Sequence, residues 1–388
     1  MGMSGLTESD VMDWSQDDET FMRQALLVAE KGRGQVRPNP LVGCILVKDG
    51  KVIAEGWHDH LGGLHAEQMA ISDAERRGIS TNGSTAYVTL EPCNHHGRTP
   101  PCTEALLWAG ITDVIVAHSD PNPTVRGNGI EYLRGEGFSV KCGLLEDKAA
   151  QQMQSFLHWC EQRKPLVTLK IATDANGAVD DRAGKSERFT SEESLEAVHR
   201  LRRDCDTVLI GVETAIRDDP QLTIRRIDIG LGRQPLRVVL DPNLRIPAKS
   251  KLICDGMPTL ILHLNENIGV AKDLGKHENV EVIRVAKNTD DSGIDLDSVM
   301  ALLGERECQE ILLEGGPITA KKFLQQGLID RVIIITTEAD FSQPYHLGIS
   351  PEDFTTCGLT QIIHTNWGED SVKMWSRPNL DWPTPNWP

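Results

Sequence analysis

The chain contains no apolar run approaching the ~20 residues that a membrane-spanning helix requires, so no such helix is expected. It also lacks basic excess: 40 Lys and Arg against 57 Asp and Glu leave a formal charge of −17, with a pI near 5.2. Nucleic-acid backbones and anionic membrane surfaces both reward clustered Lys and Arg, so neither is an expected partner. Cysteine is present without forming a disulfide framework, as nine residues scattered over 388, an odd number. Met1 to Ser15 is polar and acidic, with no apolar signal core and no Arg-rich amphipathic character. These features imply a reducing, cytoplasmic setting in which cysteines are weighed as metal ligands before disulfides. No internal repeat or low-complexity tract is visible. What is present, 39% hydrophobic and 25% charged residues over 42.9 kDa, suits two packed domains.

Residues 1–16 read as a polar tail. Ser15-Gln16-Asp17-Asp18-Glu19 offers an N-cap and an acidic first turn for a helix through Phe21, Ala25, Val28 and Ala29, stopping at Gly32 and Gly34. Leu41–Val47 and Lys51–Trp57 flank Asp49-Gly50 as a β-hairpin. A helix from His65 to Arg77, a strand Thr85–Leu90, a loop Glu91–Pro101, a short helix from Cys102 and a strand Asp113–Ala117 follow. This alternation predicts an α/β layered domain over 17–146. A helical stretch from Leu145 to Gln162 ends before Pro165 and makes 147–165 the connector. Alternation restarts over 166–345, with strands expected at 166–172, 207–211, 236–241, 259–263, 280–285, 310–313 and 331–336. Thr190-Ser191-Glu192-Glu193 reads as a capping box opening one of its helices. Residues 346–388 lose periodicity and end Pro- and Trp-rich, so an irregular wrap or disorder is expected there.

The most informative residues are His65-Ala66-Glu67 and Pro92-Cys93, with Cys102 after a short loop. Three soft or borderline ligands from different elements, leaving one position for water, suit catalytic zinc, which lowers the pKa of its bound water to about 7. Glu67 is not needed as a ligand and is placed to shuttle a proton. The arrangement follows the zinc-deaminase signature H-x-E followed by P-C-x-x-C, except that the second cysteine is displaced to Cys102. The blander reading has His65 capping a helix, both cysteines buried as thiols and Glu67 solvated. His95 and His96 are expected as substrate contacts or solvated residues rather than ligands.

His65-Ala66-Glu67 and the stretch from Thr89-Leu90-Glu91-Pro92-Cys93 through Asn94-His95-His96-Gly97-Arg98-Thr99-Pro100-Pro101-Cys102 resemble the bifunctional riboflavin-biosynthesis deaminase–reductase family. So do Pro38-Asn39-Pro40-Leu41-Val42-Gly43 and Asp120-Pro121-Asn122-Pro123, and the long cysteine spacing is the family's own. The resemblance covers roughly Asp18 to Thr337. It implies a cytidine-deaminase-like three-layer α/β domain that hydrolytically removes the pyrimidine amine from a phosphoribosylated diamino-pyrimidinone. Zinc would sit on His65, Cys93 and Cys102, with Glu67 as catalytic residue and Asn39, His58, Arg98, Asp120 and Asn122 around the substrate. For Asn39 and Asp120, turn chemistry next to proline competes with that role.

Leu169-Lys170-Ile171-Ala172, Gly211-Val212-Glu213-Thr214, Asp218 to Arg225 and Glu314-Gly315-Gly316-Pro317 recur in the order of the family's reductase half. That half is a dihydrofolate-reductase-like α/β fold that reduces the ribosyl group to ribityl with NADPH. The resemblance implies substrate contacts at Ser186, Arg202, Leu222, Arg225 and Glu314, and cofactor contacts at Ala172, Arg188, Thr214, Asp218, Gly315 and Gly316. It also implies a homo-oligomer. Four departures stand out: Asp174-Ala175-Asn176-Gly177-Ala178 in place of Ser-Leu-Asp-Gly and a basic residue, Arg188 in place of tryptophan, Pro242 in place of serine, and Glu338 to Pro344 in place of Ala-Pro-Lys-Leu-Leu-Gly. A deaminase with an inert reductase-like half is therefore the alternative to a bifunctional enzyme. A nucleic-acid base deaminase is disfavoured by the charge.

Overall fold

The computed structural model describes residues 13–95, 100–122, 127–184, 188–266, 268–289, 293–383 and 387–388. They pack as two units, Met1–Gly32 with Leu41–Ala150 and Arg33–Pro40 with Gln151–Pro388. In the first unit, Ser15 caps helix α1 (Gln16–Ala29), and its hydroxyl and backbone N–H exchange hydrogen bonds with Asp18. Five strands form one sheet: β1 (Gly43–Lys48), β2 (Lys51–Trp57), β3 (Thr85–Leu90), β4 (Asp113–His118) and β5 (Ser139–Cys142), in the order β2-β1-β3-β4-β5. β1 pairs antiparallel with β2 and β3, while β3, β4 and β5 run parallel.

Strand alternation decides what each face of this sheet covers. Cys44, Leu46, Ala86, Val88, Val114 and Val116 pack with residues of α2 (Ala66–Arg76), α3 (Cys102–Trp108) and α4 (Asn128–Gly135). On the opposite face Tyr87 meets Phe21 of α1, with ring centroids 5.3 Å apart, and its hydroxyl donates to Asp18 at 2.6 Å. Gly56 lets α2 seat directly on β2, since a Cβ there would stand 2.2 Å from the Ala70 nitrogen. The result is a helix–sheet–helix sandwich that fixes the N-terminus of α2, the end of β3 and the start of α3.

The second unit contains a nine-stranded sheet. Its strands are β6 (Leu166–Thr173), β8 (Thr207–Gly211), β9 (Leu236–Leu240), β10 (Thr259–His263), β11 (Val280–Arg284), β12 (Glu310–Leu313), β13 (Arg331–Thr336), β15 (Gln361–Trp367) and β16 (Asp370–Ser376). The order is β11-β10-β9-β8-β12-β6-β13-β16-β15, parallel up to β13 and antiparallel thereafter. Parallel strands covered on both faces read as continuous apolar runs, as Val208-Leu209-Ile210 and Ile311-Leu312-Leu313 do. A separate two-stranded ribbon pairs β7 (Ala178–Asp181) with β14 (Pro344–His346).

Three expectations are corrected. Residues 346–376 are not an irregular wrap or disordered: the β15–β16 hairpin completes the sheet, and Trp375 packs on Phe354 at 5.3 Å, while the described residues from Arg377 onward carry no helix or strand. Near the end of the chain, Trp382 and Trp387 are buried and stacked at 5.2 Å. The connector is two helices, Glu146–Gln152 and Gln154–Gln162, separated at Met153. Helix α7 (Glu192–Asp204) is capped by Ser191 rather than Thr190; the Ser191 hydroxyl accepts from the Ser194 N–H, and Asp370 accepts from the Ser191 N–H at 2.8 Å.

Candidate functional sites

At the first site, His65 is the N-cap of α2, with extended backbone, and its imidazole turns away from capping toward two thiols. His65 Nδ1 lies 3.5 Å from Cys93 Sγ, just past the end of β3, and 3.3 Å from Cys102 Sγ, the first residue of α3. The three donor atoms all fall within 4.8 Å of one another. Zn–S and Zn–N bonds of about 2.3 and 2.0 Å in a tetrahedron separate S and N by about 3.5 Å. The donor set therefore fits zinc in both chemistry and spacing. Between the thiols, the Cys102 S–H hydrogen bond draws Cys93 down to about 4, and the same contact with burial pushes Cys102 up.

Glu67 is buried (3% exposed) beside these ligands, with Cys102 and Cys44 as neighbours, and burial raises its carboxyl above the usual range. The solvated-carboxylate reading fails here. His58 is also buried: its ring stands edge-on to that of His65 at 5.6 Å, its Nδ1 contacts the Leu64 carbonyl at 2.9 Å, and burial lowers its pKa. Asp120 is buried with its pKa raised by that burial, and its carboxylate accepts from the Asn122 N–H at 2.8 Å, an Asx turn. His95 stands outside the donor cluster. Asn39 falls in the segment 33–40 of the second unit, where Arg37 pairs with Asp206 at 2.8 Å and Glu310 at 3.2 Å. Arg98 and His96 lie outside the described residues.

Sequence reasoning assigned no role to Glu91, although it belongs to the motif. Its buried carboxylate accepts four backbone N–H groups: Asp120 at 3.1 Å, Gly127 at 3.0 Å, Gly129 at 3.0 Å and Ile130 at 3.2 Å. One side chain next to ligand Cys93 thereby fastens the Asp120 turn and the start of α4. Its partners lie 29 to 39 residues downstream, so no local spacing could have announced them. Glu91→Gln presents an NH₂ group to some of these donors, and each N–H left unpaired costs about 1–3 kcal/mol. The variant is expected to unfold at lower temperature in a circular-dichroism melt.

The second site is a cleft of about 860 Å³ in the second unit. Ala172, Arg188, Arg202, Thr214, Asp218, Leu222, Arg225, Glu314, Gly315 and Gly316 all line it, whereas Ser186 lies outside the described residues. Glu314, at the end of β12, takes a two-pronged contact from Arg202 of α7 (2.6 and 3.0 Å) and an ion pair from Lys170 of β6 at 3.0 Å. Burial works against the charged carboxylate, yet the two cations hold its pKa far below the usual carboxylate range. Lys170 was not singled out from sequence as a site residue. Gly316 caps the helix Pro317–Gln325, and its N–H donates to Thr214 Oγ1 at 3.0 Å. A Cβ on Gly315 would meet Thr319 at 2.9 Å, so close packing requires glycine there. Leu222 adopts left-handed backbone (φ 54°), which is unusual for a non-glycine residue and aims the turn before Arg225. Ala178 is fully buried, and its N–H donates to Asp174 Oδ1 at 2.7 Å.

Comparison with known proteins agrees with this division. Residues 15–118 match the cytidine and deoxycytidylate deaminase zinc-binding region, and residues 165–341 match the RibD C-terminal domain. The class is thus a zinc deaminase joined to a reductase in one chain. The riboflavin biosynthesis protein RibD of Aquifex aeolicus is 39% identical over 367 residues, covering 93% of this chain and 98% of that protein. RibD of Escherichia coli is 35% identical over 328 residues, covering 82% and 86% respectively. A solved diaminohydroxyphosphoribosylaminopyrimidine deaminase/5-amino-6-(5-phosphoribosylamino)uracil reductase from Thermotoga maritima superposes with a TM-score of 0.79 at 32% identity, covering 93% and 99%. The chain belongs to the RibD family, the bifunctional deaminase–reductases of riboflavin biosynthesis, whose cofactors are Zn²⁺ and NADPH.

Proposed function

We propose that the first unit hydrolyses the pyrimidine amine of 2,5-diamino-6-(5-phosphoribosylamino)pyrimidin-4-one, and that the second reduces the ribosyl group of the product to ribityl. The observation that carries the first assignment is the convergence of His65, Cys93 and Cys102 beside the buried carboxylate of Glu67. The three donors would hold zinc, which supplies an activated water when bound. Glu67 would carry one proton of the attacking water to the ring nitrogen and the second to the amine, which leaves as ammonia as the C–N bond breaks and the new C–O bond becomes the carbonyl. His58, Asp120, Asn122 and Arg98 are assigned to the pyrimidine and its phosphoribosyl group.

In the second unit, Ser186, Arg202, Leu222, Arg225 and Glu314 hold the substrate. Ala172, Thr214, Asp218, Gly315 and Gly316 hold NADPH, which supplies the hydride when bound. The substrate is a phosphorylated small molecule, and neither nucleic acid nor membrane is a partner of so acidic a chain. Among the described residues no helix is long and apolar enough to cross a membrane. We place the enzyme in the cytoplasm as a homo-oligomer.

A two-stage assay on zinc-loaded protein tests the reading. Ammonia release is expected before NADPH is added, followed by loss of nicotinamide absorbance after it. Ammonia release without NADPH consumption would leave only the deaminase, and no ammonia release would remove the first assignment.

A further inference from the structure

Cations of the reductase cleft are mostly spoken for. Glu314 takes Lys170 and Arg202, Asp180 takes Arg182 and Arg217, and Glu213 takes Arg245. Arg188 and Arg225 line the same cleft, and among the described residues neither has a carboxylate partner. In a chain of net charge −17, two guanidiniums that line one cleft without a carboxylate partner call for an anionic ligand, and burial, then Arg202, then Arg188 lower the pKa of Arg225. The nearby imidazole of His199 adds no charge: its Nδ1 accepts the Arg225 N–H at 3.1 Å, and burial with Arg202 and Arg225 lowers it to about 3.

Arg188 is also held from behind. The adjacent Phe189 packs edge-on against Phe341, with centroids 4.9 Å apart and an interplanar angle of 84°. Phe341 is in turn anchored by its N–H to Asp174 Oδ2 at 3.2 Å, while Asn176 donates to Asp340 at 2.8 Å and the Ala175 N–H to the Ala339 carbonyl at 2.9 Å. The two stretches that depart from the family pattern around 174–178 and 338–344 are therefore bonded to each other, and through Phe189 they set the base of Arg188.

We infer that Arg188 and Arg225 together grip the phosphate monoester of the sugar substrate, Arg188 being a substrate-phosphate residue positioned by the Phe189–Phe341 contact. This rests on reading the second unit as the reductase and moves Arg188 from the cofactor to the substrate. A phosphate monoester carries about −1.5 to −2 at pH 7 and presents three acceptor oxygens, which suit two guanidinium forks. The cofactor's own phosphate offers the same chemistry, so the test must separate the two sources.

The experiment is steady-state kinetics of the reductase step on full-length, zinc-loaded enzyme, varying NADPH and the deaminated phosphoribosyl pyrimidine independently. Arg188→Gln is expected to raise KM for the pyrimidine by about tenfold or more, the worth of a charge-assisted hydrogen bond, and to leave KM for NADPH unchanged. Arg188→Lys should recover part of the loss, and Phe341→Ala should raise the same KM by a smaller factor. Inorganic phosphate should compete with the pyrimidine in the parent enzyme and compete less well in Arg188→Gln. A rise confined to KM for NADPH would assign the pair to the cofactor's phosphate and overturn the proposal, as would a variant with both constants unchanged. Absence of NADPH consumption by the parent enzyme would instead overturn the reductase reading itself.

Discussion

Glu67→Gln is expected to abolish ammonia release, by at least about 10²–10⁴-fold, while zinc content measured by metal analysis stays at the parent level. Glutamine keeps the shape and the packing against Cys44 and Cys102 but cannot take up and return a proton. Glu67 is buried, so a neutral amide is accommodated at least as readily as a carboxylate, and little stability should be lost. Cys93→Ala provides the contrast. It removes one of three donors that meet within 4.8 Å, so zinc and activity should disappear together. If Glu67→Gln still releases ammonia at the parent rate, the proton-shuttle assignment is wrong. If it loses zinc as well, Glu67 acts on the metal rather than on protons.

The reason this site could be read before any coordinates is that its residues are local to the elements that carry them. His65 and Glu67 open one helix, and Cys93 and Cys102 bound one strand-to-helix loop. The central strands Thr85–Leu90, Thr207–Gly211 and Glu310–Leu313 have the bounds their apolar runs suggest, because both faces of each are buried. Other features are decided at a distance. Ser191 displaces Thr190 as the cap because Asp370 and the Trp367 carbonyl bind its hydroxyl, both more than 170 residues away. β15 was invisible because it is mostly solvent-exposed on both faces and carries no alternation, while β16 does alternate Val372 and Met374 inward with Ser371 and Lys373 outward. The pairing of segment 174–178 with 338–344 was equally out of reach, since each looks like erosion alone and only their hydrogen bonds reveal one unit.

Glu314→Gln carries the other large effect, on stability and on NADPH consumption. The carboxylate is 7% exposed and bridges two cations, Arg202 and Lys170, that are themselves 10% and 14% exposed. Removing its charge leaves Arg202 and Lys170 uncompensated, which for a buried pair costs about 3–5 kcal/mol. Repulsion between them should also pull both from their places in the cleft, so NADPH consumption is expected to be lost while ammonia release continues. The pH dependence has a definite sign. A carboxylate whose folded pKa is depressed contributes stability above its unfolded pKa, about 4.3, and that contribution drains away as the pH falls further toward the folded value. The deficit of Glu314→Gln relative to the parent should therefore be full at neutral pH and shrink below about pH 4. Thermal unfolding of the two proteins from pH 7 to pH 3 measures it. A deficit that does not change with pH would mean that the glutamine damages packing and that the ion pairs contribute little. An unchanged rate of NADPH consumption would mean that the Lys170–Glu314–Arg202 cluster is structural and that the hydride is delivered elsewhere in the cleft.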